Sequence, residues 1–203
     1  ACGSRQPSPS VSRAHDGPPI VEAVPVQLTI EGPAARATAE LSGLDWCGGE
    51  LMMLPQFGGD DRASIYAVAE EALALALSNE RSTIVPRRIR WDAGDVPTRI
   101  DGFEGFEAIA CIDDRIFLTI EARGDGDAMS GWLIEAELNE ARDLLLLDTA
   151  SLLPLDAQGP LRNKSYETLV ALDRETLLAV YEVNSASLNA HAFAVRMDLR
   201  DRS

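Results

Sequence analysis

Three stretches of the chain repeat one another: FEAIACIDDRIFLTIEAR (Phe106–Arg123), YETLVALDRETLLAVYEVN (Tyr166–Asn184) and, more loosely, LSGLDWCGGELMMLPQF (Leu41–Phe57). The first is offset from the third by ~65 residues, and from the second by ~60 with one extra residue in the turn. Each stretch reads as a strand, a tight turn and a second strand. The turns are Gly48-Gly49, Asp113-Asp114 and Asp173-Arg174-Glu175. A period this long, built on strand-like runs, predicts an all-β chain of antiparallel β-propeller blades, about three repeats of ~60 residues each.

Inner strands are expected near Ser42–Trp46, Glu107–Cys111 and Glu167–Ala171, and second strands at Leu51–Leu54, Ile116–Ile120 and Leu177–Tyr181. Third strands follow at Ser64–Val68, Gly131–Glu137 and Ala192–Leu199, with outer strands at Ile84–Trp91 and Leu144–Asp148. Val24–Ile30 alternates and reads as a further strand. Ala69–Leu77 favours one or two helical turns by composition, and Glu135–Arg142 is open between helix and strand. Closed propellers need about 4 to 8 blades. Three repeats therefore predict a partial propeller, read either as a piece of a longer chain or as half of a dimer of half-propellers.

The opening Ala1-Cys2-Gly3-Ser4 matches the end of a bacterial lipobox, and residues 1–19, rich in Ser, Pro and Gly, read as a tether ahead of blades spanning 20–203. A diacylglycerol on Cys2 would anchor the domain on the periplasmic side of the cell envelope, with membrane contact only through that lipid. The formal net charge of −15 disfavours nucleic acid, whose phosphates it would repel. The basic run Arg87-Arg88-Ile89-Arg90 reads as the outer face of an edge strand. Cys47 and Cys111 fall one column apart at the ends of inner strands. A disulfide between neighbouring blades competes there with two buried thiols. The thiols are the expectation, because the side chains should point to opposite faces of their strands.

Alignment of the repeats exposes two polar columns. Ser42, Glu107 and Glu167 open the first strands; Gln56, Glu121 and Glu182 close the second strands. First strands line the channel of a propeller, and the tight turn returns the second strand beside the first. The columns should therefore meet at one channel mouth. Four carboxylates that close call for raised pKa values or for a cation. Oxygen ligands from several strands suit Ca²⁺, so Glu107, Glu121, Glu167, Glu182 and Asn184 are the candidate metal ligands, with Asn189 nearby. Glu107 and Glu167 are the candidate catalytic residues. The competing reading makes these carboxylates structural staples bonded to backbone amides. Gly124-Asp125-Gly126-Asp127 and Gly58-Gly59-Asp60-Asp61 lack calcium-loop spacing and read as turns. His15 and His191 are the chain's two histidines, and no G-x-S-x-G elbow, P-loop or CxxC is present.

The phrases LSGLDW, EGFEAIA…DRIFLTIEAR and NKSYETLV…LLAVYEVN resemble those of bacterial phytase-like, or esterase-like, β-propeller proteins. A second resemblance is to gluconolactonase-like propellers, which hold a divalent cation in the channel through carboxylate and amide oxygens. These resemblances imply an envelope-anchored, calcium-dependent hydrolase of phosphate esters or lactones, with Glu107, Glu121, Glu167 and Glu182 as ligands. The alternative is a non-catalytic propeller lipoprotein that binds or scaffolds a partner.

Overall fold

The structure, a computed structural model, describes residues 25–56, 64–78, 83–124, 129–155, 165–182 and 194–200. The tether with Cys2, the residues Asn184, Asn189 and His191, the Gly58–Asp61 turn and Asp125–Asp127 lie outside the described residues.

The fold is all-β and propeller-like. Blade 1 consists of β2 (Leu41–Cys47), β3 (Glu50–Pro55), β4 (Ile65–Ala69) and β6 (Arg87–Asp92). Blade 2 consists of β7 (Phe103–Ile112), β8 (Arg115–Arg123), β9 (Met129–Leu138) and β10 (Leu144–Leu155). Blade 3 consists of β11 (Tyr166–Asp173), β12 (Thr176–Tyr181) and β13 (Ala194–Asp198). Within each blade the neighbours run antiparallel. The outer strands β6 and β10 join in a short parallel ladder from Leu144↔Arg90 to Leu146↔Asp92, so blades 1 and 2 form one eight-stranded sheet.

All three inner, second and third strands fall where the repeat places them. The segment 135–142 continues β9 to Leu138 and then turns, and Glu70–Ser78 is a helix, α1. Of the expected strand Val24–Ile30, the described residues form β1 (Thr29–Ile30), paired parallel with β5 (Thr83–Ile84). A short helix, α2 (Val96–Arg99), precedes β7. The basic run does not form a bare edge. Arg87 binds Glu50 and donates to the Arg142 carbonyl at 2.7 Å, and Arg90 pairs with Asp143 at 3.1 Å, so β6 is tied to the turn that opens β10.

The blades stack through alternate side chains of the inner strands. On β7, Phe106 and Ile109 face blade 1, with Cys111 at its margin; Ala108, Ala110 and Ile112 face blade 3. Tyr166, Leu169 and Ala171 of β11 answer from blade 3. The second strands divide the same way: Ile116, Leu118 and Ile120 face blade 1, and Phe117 faces blade 3. Tight approach is built in at Gly43, where an added Cβ would lie 3.1 Å from the Ile109 amide nitrogen. The Ser42 hydroxyl donates to the Phe106 carbonyl at 2.8 Å, and the Cys111 amide donates to Asp45 Oδ2 at 2.7 Å. The far face of blade 1 carries its own apolar cluster, with Met53, Tyr66 and Val68 under α1 and β5.

Cys47 and Cys111 form a disulfide, with Cα atoms 5.4 Å apart. This corrects the expectation of free thiols. The side chains do point to opposite faces of equivalent strands, but opposite faces are what stacked blades present to each other. The bond closes a loop with a sequence separation of 64 residues. Chain-entropy arguments assign such a closure about 4 kcal/mol. Cys111→Ser should therefore lower the melting temperature by roughly 10 °C, read by circular dichroism, and dithiothreitol should do the same to the unmodified chain. An unchanged melting temperature in both would show that the bond carries no stability.

Candidate acidic site

The first polar column has a structural cause that strict alternation hides. In blade 1, β2 and β3 pair Leu41↔Pro55 and then Gly43↔Leu54, leaving Ser42 as an inserted residue. In blade 2, Phe106↔Ile120 is followed by Ala108↔Thr119, leaving Glu107. In blade 3, Tyr166↔Tyr181 is followed by Thr168↔Val180, leaving Glu167. Ser42, Glu107 and Glu167 are thus the extra residue of a β-bulge at the same place in every blade. A bulge bends the strand and re-aims the inserted side chain. It also explains why Phe106 and Ile109, three apart rather than two, share the face toward blade 1.

The second column follows from the next step of the chain. After β3, the Gln56 amide donates to the Glu40 carbonyl, and after β12 the Glu182 amide donates to the Ser165 carbonyl, both at 2.9 Å. The Gln56 carbonyl accepts from the Phe106 amide at 2.6 Å, and the Gln56 side chain donates from Nε2 to Glu107 Oε1 at 3.1 Å. A Cβ on Gly105 would lie 2.8 Å from the Gln56 carbonyl oxygen, so glycine is required for this approach. A second-column residue of one blade thereby meets the first-column residue of the next. By the same repeat relation, Glu121 stands to Glu167 as Gln56 stands to Glu107. An amide–carboxylate pair in the first case becomes a pair of acids in the second.

Burial grades the site. Glu107 is 6% exposed and Glu121 is 3% exposed, whereas Glu167 and Glu182 are exposed. Two carboxyls therefore lie at depth and two at the opening. Burial pushes the Glu107 carboxyl up to about 7, and the charges of Glu121, Glu167 and Glu182 push the same way, against the hydrogen bond from Gln56. Burial likewise raises the Tyr181 phenol, assisted by Tyr166, Glu182 and Glu121. The two tyrosine rings meet edge to face with centroids 5.5 Å apart, and Thr119 Oγ1 donates to the Tyr166 carbonyl at 2.9 Å beside them. The structure thus places Ser42, Gln56, Glu107, Glu121, Glu167 and Glu182 in one neighbourhood. The sequence reading did not include Tyr166 and Tyr181 in the site. Their signal is position: each directly precedes a column glutamate.

Among the described residues, no group of three or more His, Cys, Asp or Glu side chains is arranged to hold a metal ion. The charges of Glu121, Glu167 and Glu182 all act on Glu107.

No protein-family model matches the chain, and no curated protein matches it. Among solved structures, it is similar to one described as the crystal structure of glucose dehydrogenase, at 12% identity and a TM-score of 0.44. The match covers 78% of this chain and 44% of that one, so this chain spans less than half of that structure's length. A likeness of that size says nothing about activity.

The raised Glu107 carboxyl predicts a pH dependence of stability. Its folded value, about 7, lies above the ordinary value of 4.5. The folded state therefore holds a proton that the unfolded state releases, and its contribution is complete below about pH 4.5. It is lost as pH rises through about 7, for a total on the order of 3 kcal/mol. Denaturant titrations from pH 5 to 8 should show stability falling in the unmodified chain. Glu107→Gln, which keeps the shape without the charge, should flatten that fall. Parallel curves for the two proteins would place the Glu107 carboxyl at an ordinary value.

Proposed function

We propose that the chain is a propeller-type hydrolase that uses Glu107 as general acid–base, with a neutral ester or lactone as substrate. The single observation behind this reading is a buried carboxyl on a bulge, held near pH 7, beneath a mouth carrying two more carboxylates. A group whose pKa lies near the working pH can both take and return a proton, which is worth about 10²–10⁴-fold in rate. In the proposed step, the Glu107 carboxylate accepts a proton from water as its oxygen bonds to the lactone carbonyl carbon. The ring C–O bond then breaks, and the alkoxide takes the proton back from Glu107, leaving a hydroxy acid. Gln56 holds the Glu107 carboxyl in place from the neighbouring blade. A neutral substrate is favoured over a phosphate ester because four carboxylates surround the path and would repel a dianion.

Calcium has a limited place in this reading. If Ca²⁺ binds among Glu107, Glu121, Glu167 and Glu182, its charge would lower the Glu107 pKa. No step is routed through it, because the described carboxylates form no three-ligand set. An envelope location is part of the proposal. It is supported by the Cys47–Cys111 disulfide, a bond that persists in oxidising compartments, and by the lipobox-like Cys2. The alternative, a non-catalytic binding propeller, is favoured by the exposed apolar side chains Leu44, Trp46 and Leu172.

Hydrolysis of simple lactones, followed by acid release, separates the two readings. A hydrolase should show a rate that rises with pH and levels off above about 7, the value of the free base. Glu107→Gln should lose about 100-fold or more in rate while its circular dichroism spectrum is retained. Millimolar Ca²⁺ should shift the profile to lower pH if a cation binds there. No turnover by the unmodified chain, or full activity in Glu107→Gln, would remove the acid–base role and leave the binding reading.

A further inference from the structure

The repeat that stacks blades 1, 2 and 3 also identifies what the two outermost blade faces are shaped to receive. Residues of β11 that point away from blade 2 are Thr168, Val170 and Leu172, the repeat equivalents of Ala108, Ala110 and Ile112. In blade 2 those positions are buried by blade 3, whereas Val170 is 42% and Leu172 is 52% exposed. At the other end, Leu41, Leu44 and Trp46 are the equivalents of Phe106, Ile109 and Cys111, which face a preceding blade. They are 38%, 61% and 46% exposed. Leu41 and Leu44 also line an apolar groove of about 310 Å³ with Leu51 and Met53 as its floor and Leu28 and Leu73 along it. One end thus presents the trailing half of the inter-blade interface and the other end the leading half.

We propose that these faces bind each other between two copies of the chain: blade 3 of each copy seats Val170 and Leu172 in the blade 1 groove of the other. The argument is continuity with the two interfaces already present, since the inner strands of both faces carry the same columns, while the outer part of the blade 1 face is taken up by α1 and β5. The pairing is two-fold symmetric and closes on itself. It also buries large side chains that otherwise lie in water. This inference stands apart from the proposed chemistry.

The native disulfide supplies a sharp test. Cys47 trails blade 1 and Cys111 leads blade 2. Their repeat equivalents across the proposed contact are Leu172 and Trp46. In a Cys2→Ser background, the double variant Trp46→Cys/Leu172→Cys should oxidise to a reducible species of twice the 21.9 kDa chain mass. Mass spectrometry should locate the new bond between residue 46 of one chain and residue 172 of the other. Neither single variant should do so. In sedimentation equilibrium the unmodified chain should run as a dimer, and Leu44→Glu as a monomer with an unchanged circular dichroism spectrum. A monomeric unmodified chain, an uncross-linked double variant, equal cross-linking in the single variants, or a ladder of larger species would each overturn the proposal.

Discussion

Everything in this fold depends on one inner strand being packed on both sides. β7 offers Phe106 and Ile109 to blade 1 and Ala108, Ala110 and Ile112 to blade 3. A strand in that position has no solvent face, which is why its apolar residues run almost without a break. Large residues on one side meet small ones across it: Gly43 of β2 lies against Ile109, and Gly131 lies where a Cβ would strike the Tyr166 ring at 2.8 Å. The close approach of the blades leaves their backbones near enough for Ser42 and Asp45 to bond directly to β7. The disulfide then ties the first two blades at the turn end of the same interface.

The bulges convert this stack into a site. An inner strand packed on both sides has no room for a charged residue in regular register. Inserting one extra residue releases Glu107 from the ladder without disturbing the apolar positions on either side of it. The same insertion at Ser42 and Glu167 aligns the released side chains from blade to blade. Adjacent blades then differ in what meets them. Gln56 gives Glu107 a neutral donor, while Glu121, where the next blade's equivalent stands, adds charge that helps hold Glu107 protonated near neutrality. The charge around Glu107 thus depends on one amide-to-acid change between repeats.

Much of this was legible in the repeat. Strand positions, turn positions and the two polar columns follow from aligning Leu41–Phe57, Phe106–Arg123 and Tyr166–Asn184, because equivalent residues serve equivalent packing roles. The disulfide departs from the expectation of free thiols for a reason of geometry between blades: opposite faces of equivalent strands point toward each other in a stack, which a strand taken alone cannot reveal. The bulges are present as the three-residue spacing of Phe106 and Ile109 and of Tyr166 and Leu169, which the regular alternation of a strand does not anticipate. The parallel β6–β10 ladder had no local signal. It depends on where two loops deliver strands that share no repeat phrase.

The central claim is that one set of columns stacks every pair of neighbouring blades. It is tested most directly where nature has not already supplied a bond. Ile112 and Ala171 hold, between blades 2 and 3, the places that Cys47 and Cys111 hold between blades 1 and 2. Ion pairing of Asp113 with Arg174 at 3.4 Å places the two neighbouring turns alongside each other. The measurement is thiol titration under denaturing conditions of Ile112→Cys/Ala171→Cys after air oxidation, with the bond mapped by mass spectrometry. The account predicts no new free thiols and a 112–171 linkage beside the intact 47–111 bond. Two titratable thiols at 112 and 171, with the native bond intact, would contradict it.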